Sequence, residues 1–213
     1  MTGFRFNIGI FLLIASTQIS LAQKVNSNYL LAYCDSSSGQ KLWGFKTTSD
    51  RVRIEPKYDM TYTDTMIHMA FVTLNDKWVA INTKDSIILT PYILDYRPDP
   101  VQEGLFRFLE NGKIGFANLK GQKVIPAKFD FASEFLSGLA SFNVGGKPKE
   151  LDSEHSIWSG GLWGFINKHG LVVINPEFTD VDMFFGSSCE AWTKNNRHVL
   201  IDKKGKIIKV LPQ

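Results

Sequence analysis

The chain holds only two cysteines, Cys34 and Cys189, in 213 residues. That excludes a disulfide-dense miniature fold and a four-cysteine zinc site. HExxH, CxxC and paired histidines at ligand spacing are all absent, and the four histidines (His68, His155, His169, His198) are scattered. Metal catalysis therefore has no support in the sequence. There is no GxSxG elbow and no phosphate-cradling glycine loop ahead of a helix, since Gly145-Gly146 and Gly160-Gly161 precede strand patterns. Ala-rich helix-forming segments are lacking. Charge of one sign is lacking too. The formal net charge is +3, with no basic block and no acidic tail, so nucleic acid is not an expected partner.

Long apolar runs are also missing. The one apolar stretch, Ile8–Ala15, is shorter than the roughly 20 residues of a membrane span. It follows Arg5 and precedes Ser20-Leu21-Ala22, small residues suited to a cleavage site. Residues 1–22 are therefore predicted to be a secretory signal peptide, helical before removal. No cysteine stands at the cleavage point, which argues against a bacterial lipoprotein. The mature chain is expected to be exported to the periplasm or the extracellular space, with no transmembrane span.

What the chain does have is Val, Ile, Thr and aromatic residues between frequent turns, a β composition. It also repeats itself. The anchors are Trp43-Gly44-Phe45, Trp78-Val79-Ala80, Ile114-Gly115-Phe116, Trp163-Gly164-Phe165 and His198-Val199-Leu200, recurring about every 35 residues with one longer interval. A late aromatic follows at the same distance in three copies (Trp43 to Tyr58, Ile114 to Phe129, Trp163 to Phe178), just after Pro56, Pro126 and Pro176. Between anchor and proline lies a turn such as Asn167-Lys168-His169-Gly170. Asn or Asp opens it, and Gly121, Gly170 and Gly205 close it with a positive φ. Asp50 and Asp85 stand at that closing position in the first two copies. Two short strands around the turn form a hairpin, proline is expected to end the pairing, and a third strand follows at Leu105–Leu109 or Leu139–Val144. One repeat is thus predicted to be a three-stranded antiparallel meander. It cannot bury both faces alone, so stacked neighbours must supply the core, with the tryptophans as fillers.

These residues resemble the WG-repeat (KWG) family, whose pattern runs Lys-Trp-Gly-aromatic, a glycine turn, Val-Ile-Pro, a late aromatic, then Phe-x-x-Gly-Leu-Ala. The third copy carries that tail in full as Phe135-Leu136-Ser137-Gly138-Leu139-Ala140. The resemblance implies an all-β array of about five such repeats, solenoid-like or propeller-like. They lie near 41–75, 76–111, 112–144, 161–195 and 196–213, after a capping segment at 23–40 and with an insertion at 145–160. It also implies a binding or scaffold module with no common catalytic set. No enzyme, no catalytic residue, no metal and no cofactor is expected. Trp43, Gly44, Trp78, Gly115, Pro126, Trp163, Gly164, Gly170 and Pro176 are structural positions on this reading.

A protein is the first expectation for the partner. An envelope glycan, stacked on Trp158 in the insertion and on Trp192 outside the repeat register, is the alternative. His198, which replaces the repeat tryptophan, is a third candidate contact. In an oxidising compartment the cysteines are open to a Cys34–Cys189 bond or to remaining as two thiols, and the curvature of the array decides between them.

Overall fold

The computed structural model describes residues 29–150 and 156–212, and every regular element in them is a β-strand. The predicted signal segment and the start of the predicted cap lie outside the described residues. First strands, carrying the anchors, are Leu42–Lys46, Lys77–Asn82, Lys113–Asn118, Leu162–Asn167 and His198–Asp202. Second strands are Val52–Tyr58, Ile87–Pro91, Lys123–Phe129, Val172–Val181 and Ile207–Val210. Third strands are Met69–Leu74, Leu105–Glu110, Leu139–Val144 and Ser188–Thr193. Ahead of them all, Leu30–Asp35 takes the place of a third strand with no repeat of its own.

The expected meander is cut one strand out of step. Each third strand makes its long antiparallel ladder with the first strand of the following repeat: Met69↔Asn82, Leu105↔Asn118, Leu139↔Asn167 and Ser188↔Asp202 open these ladders, and Leu31↔Lys46 opens the one at the N-terminal end. The reason is local. Asn75-Asp76 and Asn111-Gly112 have positive φ at both residues, the geometry of the tightest β-hairpin. That closure is far shorter than the path from a second strand to its own third.

The second strands do not stop at proline either. Pro56, Pro126 and Pro176 lie within strands, inside a bulge. Trp163 pairs with Phe178 and Phe165 with Ile174, so Asn175, Pro176 and Glu177 stand opposite Gly164 alone. A bulge needs no ladder N–H at its extra residues, so proline fits there at no loss. Beyond the bulge the strand leaves its first partner and joins the next sheet, as in Phe178↔Thr193 and Val181↔Ala191 or Met60↔Thr73. The meanders are thereby stitched into one four-stranded and two seven-stranded sheets, with two short hairpins beside them.

Four cores lie between five successive meanders. Phe45, Ile54 and Tyr58 meet Val72 and Ile81; Phe71 and Ala80 meet Phe106 and Ala117; Phe116 and Ile125 meet Phe142 and Ile166; Phe165 and Ile174 meet Ala191 and Ile201. Along each first strand, alternate residues serve the core behind and the core ahead.

The anchor glycine follows from the bulge. A Cβ at Gly164 would lie 2.5 Å from the Ile174 carbonyl oxygen and 2.8 Å from Pro176 N, and one at Gly44 would lie 2.4 Å from Ile54 O. No side chain survives that approach. In the second and fifth copies the wide bulge is missing: Ala80 pairs with Leu89 and Val199 with Val210. There valine replaces glycine. The ladder partner changes in step, for Gly44, Gly115 and Gly164 face Tyr33, Phe108 and Phe142, while Val79 and Val199 face Val72 and Ala191. A large ring thus covers each bare glycine.

The turns hold as the residues imply. Asn118 Oδ1 accepts from the N–H groups of Lys120 and Gln122, Asn167 Oδ1 from His169 and Leu171, and Asp202 Oδ1 from Lys204 and Lys206. The closing glycine rests on the preceding repeat. A Cβ at Gly170 would meet Ile125 Cγ2 at 2.9 Å and one at Gly205 would meet Ile174 Cγ2 at 3.1 Å. In the second copy Asp85 fills that contact with chemistry instead. The Tyr58 hydroxyl donates to Asp85 Oδ1 at 2.5 Å, and burial together with this bond holds the phenol above its ordinary value.

Gly164→Ala is expected to cost about 1–3 kcal/mol through overpacking of the bulge. Trp163→Ala, at a side chain 8% exposed, is expected to cost about 3–5 kcal/mol. Urea midpoints measure both. An unmoved midpoint for Gly164→Ala would remove close backbone approach as the reason for the glycine.

Candidate functional site

The departures from the repeat are where function was to be sought, and two of them come together. Trp192 and His198 are ladder partners on the last described meander. Their rings stack with centroids 4.4 Å apart and planes 6° from parallel. His198 Nε2 stands 2.6 Å from Glu190 Oε2, and its Nδ1 is 3.2 Å from the Pro212 carbonyl. Cys189, Ala191, Val199 and Ile201 point into the last core. Glu190, Trp192, His198 and Leu200 therefore share the opposite, outer face. In the meander before, the same places hold Ser141, Asn143, Trp163 and Phe165. His198 thus stands where a repeat tryptophan would need a further neighbour to bury it.

At the other end Lys46 occupies the place of Ile81, Ala117, Ile166 and Ile201, all of which are fully buried. Its ammonium pairs with Asp50 at 2.8 Å and lies over the Tyr33 ring. Both outer faces of the described array are covered by polar groups, as the ends of a stack require.

The insertion is a hairpin ribbon, Lys147–Glu150 against Ser156–Ser159, extending the turn between Leu139–Val144 and Leu162–Asn167. Its base is held by Asn143, whose Nδ2 donates to Gly160 O at 3.0 Å and whose Oδ1 accepts from Gly146 N–H at 2.8 Å. The strand Lys147–Glu150 is exposed, but Trp158 turns inward. It stacks on Phe131 (5.4 Å, 28°), which meets Trp163 edge-on. A cleft of about 170 Å³ beside the ribbon is lined by Trp158 and Ile157 of the ribbon together with Tyr92, Leu109, Ile114, Phe131 and Asp130. His155 lies outside the described residues, and His169 is exposed in its turn.

Trp43 and Trp78 are half-buried fillers at the junctions ahead of them, and the Trp78 indole N–H donates to Tyr96 O at 2.9 Å. Cys34 and Cys189 are not bonded: both are free thiols, Cys34 exposed on the first sheet and Cys189 buried in the last core. The first and last sheets share neither a ladder nor a hydrophobic cluster, so the array does not bring the two sulfurs together. Burial first, then the charges of Asp182 and Glu190, push the Cys189 thiol up to about 12. It lies across the sheet from His198, and no thiolate nucleophile is available there. Among the described residues, no group of three His, Cys, Asp or Glu side chains is placed to hold a metal ion.

Two features escaped the sequence reading. Arg107 and Asp99 form a buried pair, 3% and 1% exposed. Arg107 Nε donates to Asp99 Oδ2 at 2.8 Å, Nη2 to Oδ1 at 2.6 Å and Nη1 to Ala132 O at 2.9 Å, and the guanidinium stacks on Tyr92 at 4.4 Å. The signal was there: Arg107 interrupts the apolar run Leu105-Phe106-Arg107-Phe108-Leu109. The other is an apolar groove of about 230 Å³ lined by Thr63, Thr65, Ile67, His68, Met69, Phe71 and Leu119. Its wall Leu119 belongs to the turn of the third copy, far along the chain from the loop that carries Ile67.

A family model described as WG containing repeat matches this chain twice, at residues 114–147 and 163–196. These two stretches are WG repeats. Both matches begin at or beside an anchor, Ile114 and Trp163, and run through the bulged second strand into the hairpin that follows. The WG-repeat register thus agrees with the anchors, while the sheets it builds begin one strand earlier. Among curated proteins, none matches the chain.

Arg107→Met alone should cost about 3–5 kcal/mol by stranding the Asp99 carboxylate, and the Arg107→Met/Asp99→Leu pair should recover most of it. Urea midpoints test this, and equal losses in single and double variants would contradict it. A maleimide or disulfide reagent at pH 8 should label Cys34 in the native protein and reach Cys189 only after unfolding. Labelling of both at one rate would contradict the thiol's burial.

Proposed function

We propose that this chain is an exported binding module, its five meanders forming an open, curved stack that engages a protein partner. The groove at Ile67 and Leu119 carries this reading. Ile67 is 58% exposed and Leu119 53% exposed, and between them lie Met69 and Phe71, with His68 and two threonines on the border. An apolar floor with a polar margin is the composition of a protein contact centre. A partner would insert an apolar side chain there, with hydrogen bonding from Thr63, Thr65 and His68 around it. Separation of the first and last sheets supports a stack rather than a closed ring. A long glycan chain is less favoured as the principal partner. Trp158 and Trp192 do not form a row of open ring faces, since one is stacked on Phe131 and the other on His198.

The test is recovery of a partner from envelope extract by the wild-type chain and by Ile67→Asp/Leu119→Asp, with binding of the purified partner then measured by calorimetry. The wild type should retain one protein at stoichiometric yield and the variant should lose it. Undiminished retention by the variant, or retention released by free sugars, defeats the proposal.

A further inference from the structure

The cleft beside the insertion ribbon is lined by a residue that departs from the repeat. Trp43, Trp78 and Trp163 fill the anchor place in their copies, whereas the third copy has Ile114. The smaller side chain packs its own core and is itself 2% exposed. The cleft of about 170 Å³ lies beside it. The same copy precedes the only insertion in the array, and that insertion adds Ile157 and Trp158 to the lining. A lost filler and an added ribbon thus meet at one place, where the cleft lies.

We propose that this cleft binds a single neutral sugar ring. Its size sets the first limit. It is well below the roughly 300–1,000 Å³ of pockets that enclose drug-sized ligands, so one ring fits and a nucleotide does not. Its chemistry sets the second. Tyr92, Phe131 and Trp158 offer aromatic surface, which attracts the polarised C–H faces of a pyranose through the negative π face. Tyr92 is held in place from behind by the Arg107 guanidinium, and Trp158 by its stack on Phe131, so the walls are preorganised. On the lining, the Asp130 carboxylate is paired to the Lys113 ammonium at 2.5 Å, with both side chains about half exposed. That pair presents an acceptor beside a donor, the match for vicinal hydroxyls. An apolar aromatic ligand would leave it unused, and a phosphate would meet the carboxylate first. The inference does not depend on the protein-partner groove, which uses other residues.

Saturation-transfer NMR on the full chain provides the test, with methyl glucopyranoside, N-acetylglucosamine and cellobiose as probes and p-cresol as the apolar comparison. Wild type should transfer saturation to ring C–H protons of at least one sugar, and to one ring of cellobiose. Ile114→Trp restores the repeat's usual side chain and should fill the cleft, weakening binding at least about tenfold while the melting point stays at or above wild type. Trp158→Ala, which removes a wall without filling the space, should weaken the same signal and serves if Ile114→Trp fails to fold. Asp130→Asn should bind more weakly than wild type with no loss of melting point. The proposal is overturned by an absence of transfer to every sugar, by transfer to p-cresol alone, by even saturation of both cellobiose rings, or by unchanged binding in both Ile114→Trp and Trp158→Ala.

Discussion

Where the bulged second strand crosses the first, two backbones come closer than any side chain permits. The Ile174 carbonyl would sit 2.5 Å from a carbon placed on Gly164, and the same crowding recurs at Gly44 and Gly115. This contact sets more than the identity of one residue. The bulge turns the rest of the second strand away from its first partner and delivers it to the next sheet. The second copy makes the same crossing without the wide bulge, Pro91 pairing with Phe108 and Thr90 with Leu109. Through the crossing, each meander meets its neighbour at a fixed position, and the paired faces close over Phe45, Phe116 or Phe165.

The places where the bulge is missing show how the same stack tolerates change. Val79 and Val199 occupy the glycine place only where the opposite strand runs without the extra residues, and only where the ladder partner has shrunk to Val72 or Ala191. Volume is conserved across the pair, which is the kind of swap a close-packed core accepts. Asp85 is a second example. A carboxylate at a turn position that the third, fourth and fifth copies give to glycine is accommodated because Tyr58, rather than phenylalanine, faces it with a hydroxyl. At the ends, Lys46 and His198 stand at places that interior meanders fill with buried or half-buried apolar side chains. Each has a charged or ring partner that takes the place of the absent neighbour.

Much of this was legible in the sequence. The repeat, its glycine-closed turns and the need for neighbours to share a core can all be read from spacing and from φ-positive residue types. The cut of the sheets is written in Asn75-Asp76 and Asn111-Gly112, since Asn-Gly is among the strongest short-range hairpin signals, but the longer repeat unit masks it. Proline by its chemistry points to a strand end, and only the register reveals it inside a bulge. The Arg107–Asp99 pair and the groove at Ile67 join residues from different parts of the chain, and no periodicity within one strand encodes such a meeting. The inward turn of Trp158 depended on Phe131 being free to receive it. The ring stack of Trp192 on His198 needs the ladder register, since Trp192 falls outside the repeat's pattern and His198 replaces its tryptophan.

The ownership of the third strand has a consequence for how such chains can be shortened or recombined. A segment excised from one tryptophan anchor to the next would carry away a third strand whose ladder belongs to the neighbour, leaving two torn edges. A segment taken from Leu105 to the residue before Leu139 instead carries a complete hairpin, its bulge and the tail that reaches forward. The anchor marks the middle of the unit that can be moved, and in the third copy the joints lie at the glycine-leucine steps before Leu105 and Leu139.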